Sequence, residues 1–420
     1  MQNYHRKYFG LRQEVAPVLE ATYASRLVDL LRLNGYRFQR GGLTVALAQE
    51  FGFCVGVERA VQMAYETRRK FPEKRIFITA EIIHNPFVNR KLVEMGFLFL
   101  GGQHASGMTI DDIAADDVVF LPAFGAPVPE VRRIRARGAL VVDATCGAVV
   151  NVWNNVQKYA RDGFTSVIHG KFDHEETVAT SSRATGETDG ITGPGSSRPA
   201  HYLVVRDLDE AHIVCERIEG RGAPGAFLAR FKPPAISAGF DPDRDLQRIG
   251  LANQTTMLSG ESLAIQALLR ESFVRTYGEE ETRTRFRSFD TICSATQDRQ
   301  DAVQALLKTP VDLLIVIGGY NSSNTAHLAE MGREHRVPTF HVDDAACLLD
   351  RQRIRHQPVG QRQETVEEKW WPPKDPLVIA VTAGASTPNN KIGDVILRLF
   401  ELYGAEVRDL LTEIEAPTDA

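Results

Sequence analysis

Cys54, Cys146 and Cys293 occupy matched settings, each ending an apolar run and opening a helix-like stretch: Gly52-Phe53-Cys54, Asp143-Ala144-Thr145-Cys146 and Asp290-Thr291-Ile292-Cys293. No two are close enough in sequence to form a local C-x-x-C box. Three cysteines meeting on one metal centre leave a coordination position open, and an open position means chemistry rather than scaffolding. A helix N-terminus favours thiolate over thiol through its free N–H groups and dipole, and thiolate is the form that metals and iron–sulfur clusters bind. Cys215 and Cys347 lack that setting and read as core.

Further residues add anion and proton chemistry. His84 closes the strand-like run Glu81-Ile82-Ile83-His84-Asn85, and open α/β sheets bind ligands at the carboxyl ends of their strands. His174 follows Gly170-Lys171-Phe172-Asp173 and precedes Glu175-Glu176-Thr177. A carboxyl group in a low-dielectric site stays protonated near neutral pH and serves as an acid, which makes Glu175 and Glu176 candidates. A solvated first helical turn, where Glu is favoured anyway, is the competing explanation. Asn321-Ser322-Ser323-Asn324 follows Gly318-Gly319, and Ala385-Ser386-Thr387-Pro388 follows Gly384; each opens a helix after a buried strand. Plain N-capping accounts for one such cluster. Two of them, each at a strand end, point to a phosphate-like group. Asn253-Gln254-Thr255-Thr256 is a weaker polar cluster.

These residues need elements to hold them. Arg75–Thr79, Asp117–Leu121, Ala139–Val142, Val311–Ile317 and Val378–Val381 read as strands, and Leu43–Ala48 as an extended stretch. Helices alternate with them at Val57–Lys70, Pro86–Met95, Val128–Arg137, Val149–Arg161, Thr325–His335 and Lys391–Leu402. This alternation predicts an α/β fold with parallel sheets. The recurring cysteine context suggests three similar lobes around one centre: 43–145, 146–292 and 293–411, after a helical extension over 1–42 and before a frayed tail over 412–420. Gly186–Pro199 and Arg351–Lys374 read as surface loops.

Composition narrows the classes. The 420-residue chain is 43% hydrophobic and 25% charged, enough for large cores. A net charge of −5 and the lack of a basic run give no electrostatic reason to bind nucleic acid. Five cysteines are too few and too odd for a disulfide framework and fit a reducing compartment. The start has no secretory h-region, and no run of about 18 apolar residues predicts a membrane helix. The oligomeric state is left open, a homodimer included.

The segments GFCVGVERAV, EIIHNPFVNRKLVEMG, VVDATC, HGKFDHEETVAT, NQTTML, DTICSATQDRQ, IVIGGYNSSNTAHLAE and TAGASTP run in order from Gly52 to Pro388. Together they closely resemble the 4-hydroxy-3-methylbut-2-enyl diphosphate reductases, which catalyse the last step of the methylerythritol phosphate route to isoprenoids. FLPAFGAPV, HEETVATSS and the preface before Gly52 resemble the plant and cyanobacterial branch. The resemblance implies three α/β lobes around a [4Fe–4S] cluster on Cys54, Cys146 and Cys293, with the fourth iron open to substrate. It implies a two-electron, two-proton removal of the substrate hydroxyl as water, giving isopentenyl or dimethylallyl diphosphate. Glu176 matches the proton-delivering glutamate. His84, His174, Ser322, Ser323, Asn324 and Ser386 match diphosphate-binding positions, and Thr255 and Thr256 a threonine motif near the substrate. A ferredoxin or flavodoxin is the implied electron donor, and the cytoplasm, or the plastid stroma in a plant-like source, the implied location. Two departures stand out: Phe124 replaces a histidine found in many bacterial members, and Gly147 a proline that usually follows the second cysteine. The residues alone leave two other readings, a three-cysteine zinc hydrolase and a non-catalytic iron–sulfur sensor.

Overall fold

The computed structural model describes residues 3–190, 195–196, 199–289 and 291–405. Asp290, the frayed tail, and parts of the 186–199 loop and of the 293–411 lobe lie outside the described residues. The chain divides into two units. The first comprises Met1–Lys7, Phe71–Ile82 and Leu92–Cys293, and the second Tyr8–Lys70, Ile83–Lys91 and Ser294–Ala420.

Two parallel sheets build the first unit. One runs in the order Tyr4–His5, Leu140–Asp143, Val118–Leu121, Ile76–Ile78, Phe97–Phe99. The other runs Phe286–Ser288, Ile249–Asn253, Thr165–His169, Tyr202–Val205. In the second sheet Val167, Leu203, Val205, Ile249 and Leu251 enter one core, while Ile168, Val204 and Ala252 enter another with Val152, Val156 and Tyr159. Alternate residues point to opposite faces, so a strand covered on both sides reads as an unbroken apolar run.

The second unit has one five-stranded sheet in the order Thr339–Val342, Leu313–Ile317, Leu377–Ala383, Leu43–Leu47, Arg37–Arg40, parallel except for its last pair. Leu313, Ile315 and Ile317 face one core with Leu399 and Phe400, and Leu314 and Val316 face another with Val303 and Leu328. At about 1.5–3 kcal/mol for each fully buried side chain of this size, these central strands dominate the hydrophobic stabilisation.

Several expected elements are placed differently. Leu43–Leu47 pairs with Leu377–Ala383, so it shares a sheet with the expected third lobe rather than the first; parallel pairing joins strands distant in sequence, and local pattern does not show the partner. The 1–42 preface is not only helical. Helices Arg12–Tyr23 and Arg26–Leu33 are flanked by the strands Tyr4–His5 and Arg37–Arg40. Glu81–Asn85 is an irregular turn rather than a strand. Arg351–Lys374 contains the antiparallel pair Arg353–His356 and Thr365–Glu368, and ends at buried Trp370 and Trp371. Its exposed strand Thr365–Glu368 buries no face, so it carries no apolar alternation.

A buried ion pair ties the start of the 186–199 segment to the first unit. Arg183 donates to Asp189 at 3.1 Å and to the Ala126 and Ala179 carbonyls, each at 2.9 Å, and its guanidinium lies 3.4 Å from the Trp153 ring centroid. Burial pulls the Arg183 guanidinium down to about 10, with Asp189 acting to keep it charged. Removing one partner of such a pair leaves an uncompensated buried charge. Asp189→Ala is therefore expected to cost about 3–5 kcal/mol of stability in denaturant unfolding.

Candidate active site

All three matched cysteines stand at helix starts. Cys54 directly precedes the helix Val55–Lys70, Cys146 caps Gly147–Arg161, and Cys293 directly precedes Ser294–Leu307. All three are half-buried, whereas Cys215 and Cys347 are buried among core residues. Burial pushes the Cys215 thiol up to about 11, so it stays protonated at neutral pH.

The first unit links two of these cysteines through the candidate acid. The Cys146 N–H donates to the Ala123 carbonyl at 2.9 Å. The next residue, Phe124, sets its ring 5.5 Å from that of His174 in a T-shaped contact, so the aromatic departure at 124 packs directly on a predicted anion-binding histidine. Its neighbour Gly125 has φ +78°, and a Cβ there would lie 2.3 Å from the Trp153 ring, so only glycine fits. His174 Nδ1 accepts the Glu176 N–H at 3.2 Å, capping the helix Glu175–Ala184; the neutral ring therefore carries its proton on Nε2. The Glu176 side chain is only 1% exposed. Its Oε1 accepts the Thr255 N–H at 2.6 Å, and its Oε2 lies 2.9 Å from Thr255 Oγ1. The Thr255 carbonyl in turn accepts the Cys293 N–H at 3.3 Å. Thr256 turns its hydroxyl to the Gln254 amide.

The turn before Cys146 carries a clamp that its motif does not reveal. Asp143 is buried and accepts from the Thr145 N–H at 2.8 Å, from the Thr145 hydroxyl and from the Tyr4 hydroxyl. Arg6 lies 3.7 Å from the Asp143 carboxylate and donates to the Thr145 carbonyl at 3.2 Å. Burial, reinforced by the Asp143 charge, drives the Tyr4 phenol well above its usual range, so it remains a donor. The Asp-x-Thr spacing was a usable signal for the turn; the Tyr4 and Arg6 contacts arise from strand pairing and had none. At Gly147 an added Cβ meets nothing within 4 Å, and nothing in the structure requires glycine there.

The second unit gathers Cys54 with the predicted anion sites. The Cys54 N–H donates to the Ala385 carbonyl at 3.2 Å, and the Ala385 N–H donates to Asn324 Oδ1 at 2.9 Å. Ser386 Oγ donates to the His84 carbonyl at 3.1 Å. Ser322 caps the helix Ser323–Glu334 by accepting the Thr325 N–H at 3.3 Å. Pro388 is the cap residue of Asn389–Tyr403, one position before the helical turn expected for it. His84, Ser322, Ser323, Asn324 and Ser386 are all buried. Two supports went unread in the sequence. His341 donates through Nε2 to the Gly318 carbonyl at 2.9 Å, and burial lowers it to about 4, so it stays neutral. Buried Arg299 donates to the Gly52 carbonyl at 2.7 Å, two residues before Cys54.

Parallel sheets whose strands hand over to cysteine-bearing, hydroxyl-rich helix starts define an α/β protein. Three such sheets occur among the described residues, as three α/β lobes require. A family model described as LytB protein matches residues 45–400. A 4-hydroxy-3-methylbut-2-enyl diphosphate reductase of Thermosynechococcus vestitus is 48% identical over 405 residues, covering 96% of this chain and 95% of that protein. One of a Synechococcus species is 49% identical over 399 residues, covering 95% and 96%. The solved structure of the E-1-hydroxy-2-methyl-but-2-enyl-4-diphosphate reductase from Plasmodium falciparum shares the fold, with a TM-score of 0.58 at 20% identity over 85% of this chain and 87% of that one. The chain belongs to the LytB protein family. Neither the hydrolase nor the sensor reading draws support from these relatives. No helix among the described residues is long and apolar enough to cross a membrane.

Proposed function

We propose that this protein reduces 4-hydroxy-3-methylbut-2-enyl diphosphate to isopentenyl and dimethylallyl diphosphate. Substrate, two electrons and two protons give product and water. The observation that carries this reading, beside near-full-length identity to named reductases, is the buried Glu176 carboxyl held by Thr255, whose carbonyl is bonded to the Cys293 N–H.

Cys54, Cys146 and Cys293 fit an iron–sulfur cluster: they are the three half-buried cysteines, each at the start of a helix. Held by them, a [4Fe–4S] cluster would supply electrons drawn from a carrier such as ferredoxin or flavodoxin. The remaining roles fall to side chains. Ser322, Ser323, Asn324 and Ser386, with His84 and His174, bind the diphosphate through hydroxyl, amide and imidazole donors at helix starts. Glu176 holds a proton on Oε2 and passes it to Thr255 Oγ1, whose own proton moves on to the departing hydroxyl. The 2.9 Å contact permits this because a hydroxyl both accepts and donates.

The test is anaerobic turnover with a chemically reduced one-electron dye. Loss of substrate with appearance of both five-carbon diphosphates is expected. Iron-loaded protein that consumes no substrate contradicts the proposal.

A further inference from the structure

Gln254 bonds both to the segment that carries the acid and to the turn that holds it. Its buried side chain accepts through Oε1 from the Lys171 N–H at 3.0 Å and from the Thr177 hydroxyl at 3.1 Å. Through Nε2 it donates to Thr256 Oγ1 at 2.8 Å. Lys171 lies before His174 on the same turn, Thr177 directly follows Glu176, and Thr256 directly follows Thr255. The Gln254 N–H is fixed as well, donating to the carbonyl of His169, the last residue of its strand, at 2.8 Å. Two donors face one end of the side chain and the Thr256 hydroxyl faces the other, a set that a neutral amide satisfies without adding a charge. The backbone is drawn in around it: a Cβ at Gly170 would lie 2.9 Å from Gln254 Cβ.

Building on the reductase reading, we propose that Gln254 is a positioning residue for proton transfer. It holds the Glu176 helix and the Thr255–Thr256 turn in register, and its neutrality adds no negative charge beside the acid. Its bonds reach Thr177 and Thr256, the residues directly after Glu176 and Thr255, so its effect runs through that acid and that turn.

Gln254→Glu tests this. The variant keeps the shape and both accepted bonds, reverses the bond with Thr256, whose hydroxyl then donates, and sets a negative charge beside the acid. A nearby like charge raises a carboxyl pKa. Infrared titration of the holoenzyme, with Glu176→Gln marking the Glu176 band, is expected to show that carboxyl titrating at least about one pH unit higher in Gln254→Glu. The alkaline limb of kcat, where the acid loses its proton, should move up with it, at a KM changed by less than about twofold. A Glu176 band titrating as in wild type overturns the proposal. A moved band with an unmoved kcat profile supports the tie and instead contradicts Glu176 as the donor, so the two failures are told apart. Where Gln254→Glu does not fold, Thr177→Val removes one of the two bonds at constant size. A several-fold lower kcat at unchanged KM supports the role, and wild-type kcat overturns it.

Discussion

Glu176→Gln is expected to lower kcat by about 10²- to 10⁴-fold while leaving the fold and KM in place. The geometry explains why the loss should be so selective. Glutamine still offers an oxygen to the Thr255 N–H, now 2.6 Å from Oε1. Its NH₂ takes the place of the protonated Oε2, 2.9 Å from Thr255 Oγ1, and the threonine oxygen accepts from it as it accepts from the acid. Both bonds survive, and only the transferable proton is gone. Glu176→Ala differs, because it leaves the buried Thr255 N–H unpaired and adds about 1–3 kcal/mol of destabilisation. Steady-state kinetics beside thermal unfolding separate the two effects. Turnover of Glu176→Gln within a few-fold of wild type would remove Glu176 from the proton path.

Cys146→Ala should abolish both the cluster and turnover. Alanine preserves the N–H to the Ala123 carbonyl and the helix Gly147–Arg161, so the backbone has no reason to move. What is lost is one of three thiolates, and a cluster of about four irons held by only two cysteines does not persist. Iron per chain should fall from about four to well under one on the [4Fe–4S] reading. Cys215→Ala is the control. Its thiol is buried 3% exposed, packs in the core of the 202–286 region and is held protonated by burial, so iron content should stay as in wild type. Full iron in Cys146→Ala would exclude that residue as a ligand.

Much of this arrangement was legible because the relevant signals are local. A strand covered on both faces is a continuous apolar run, and Leu313–Ile317 and Val118–Leu121 are such strands. Helix starts announce themselves through Ser322 and through the cysteines, each followed at once by helical periodicity. Non-local pairing left no such trace. Nothing near Leu43 names Leu377 as its neighbour, and nothing near Tyr4 names Asp143. His84 was misplaced on a strand because Ile82 and Ile83 are buried in an irregular turn, where apolar residues imitate a strand. The supports of the site were hardest to see. Gln254, His341 and Arg299 act through one to three hydrogen bonds, mostly to distant backbone or hydroxyl groups, and a polar residue looks the same in sequence whether it is solvated or buried and paired.

The most direct test of the iron–sulfur reductase assignment is iron and acid-labile sulfide content, with the visible spectrum, of wild-type protein purified without oxygen and assayed on the same day. The expected result is brown protein with about four irons per chain that converts the hydroxylated allylic diphosphate. Colourless protein with full activity, or zinc with no iron, would contradict it.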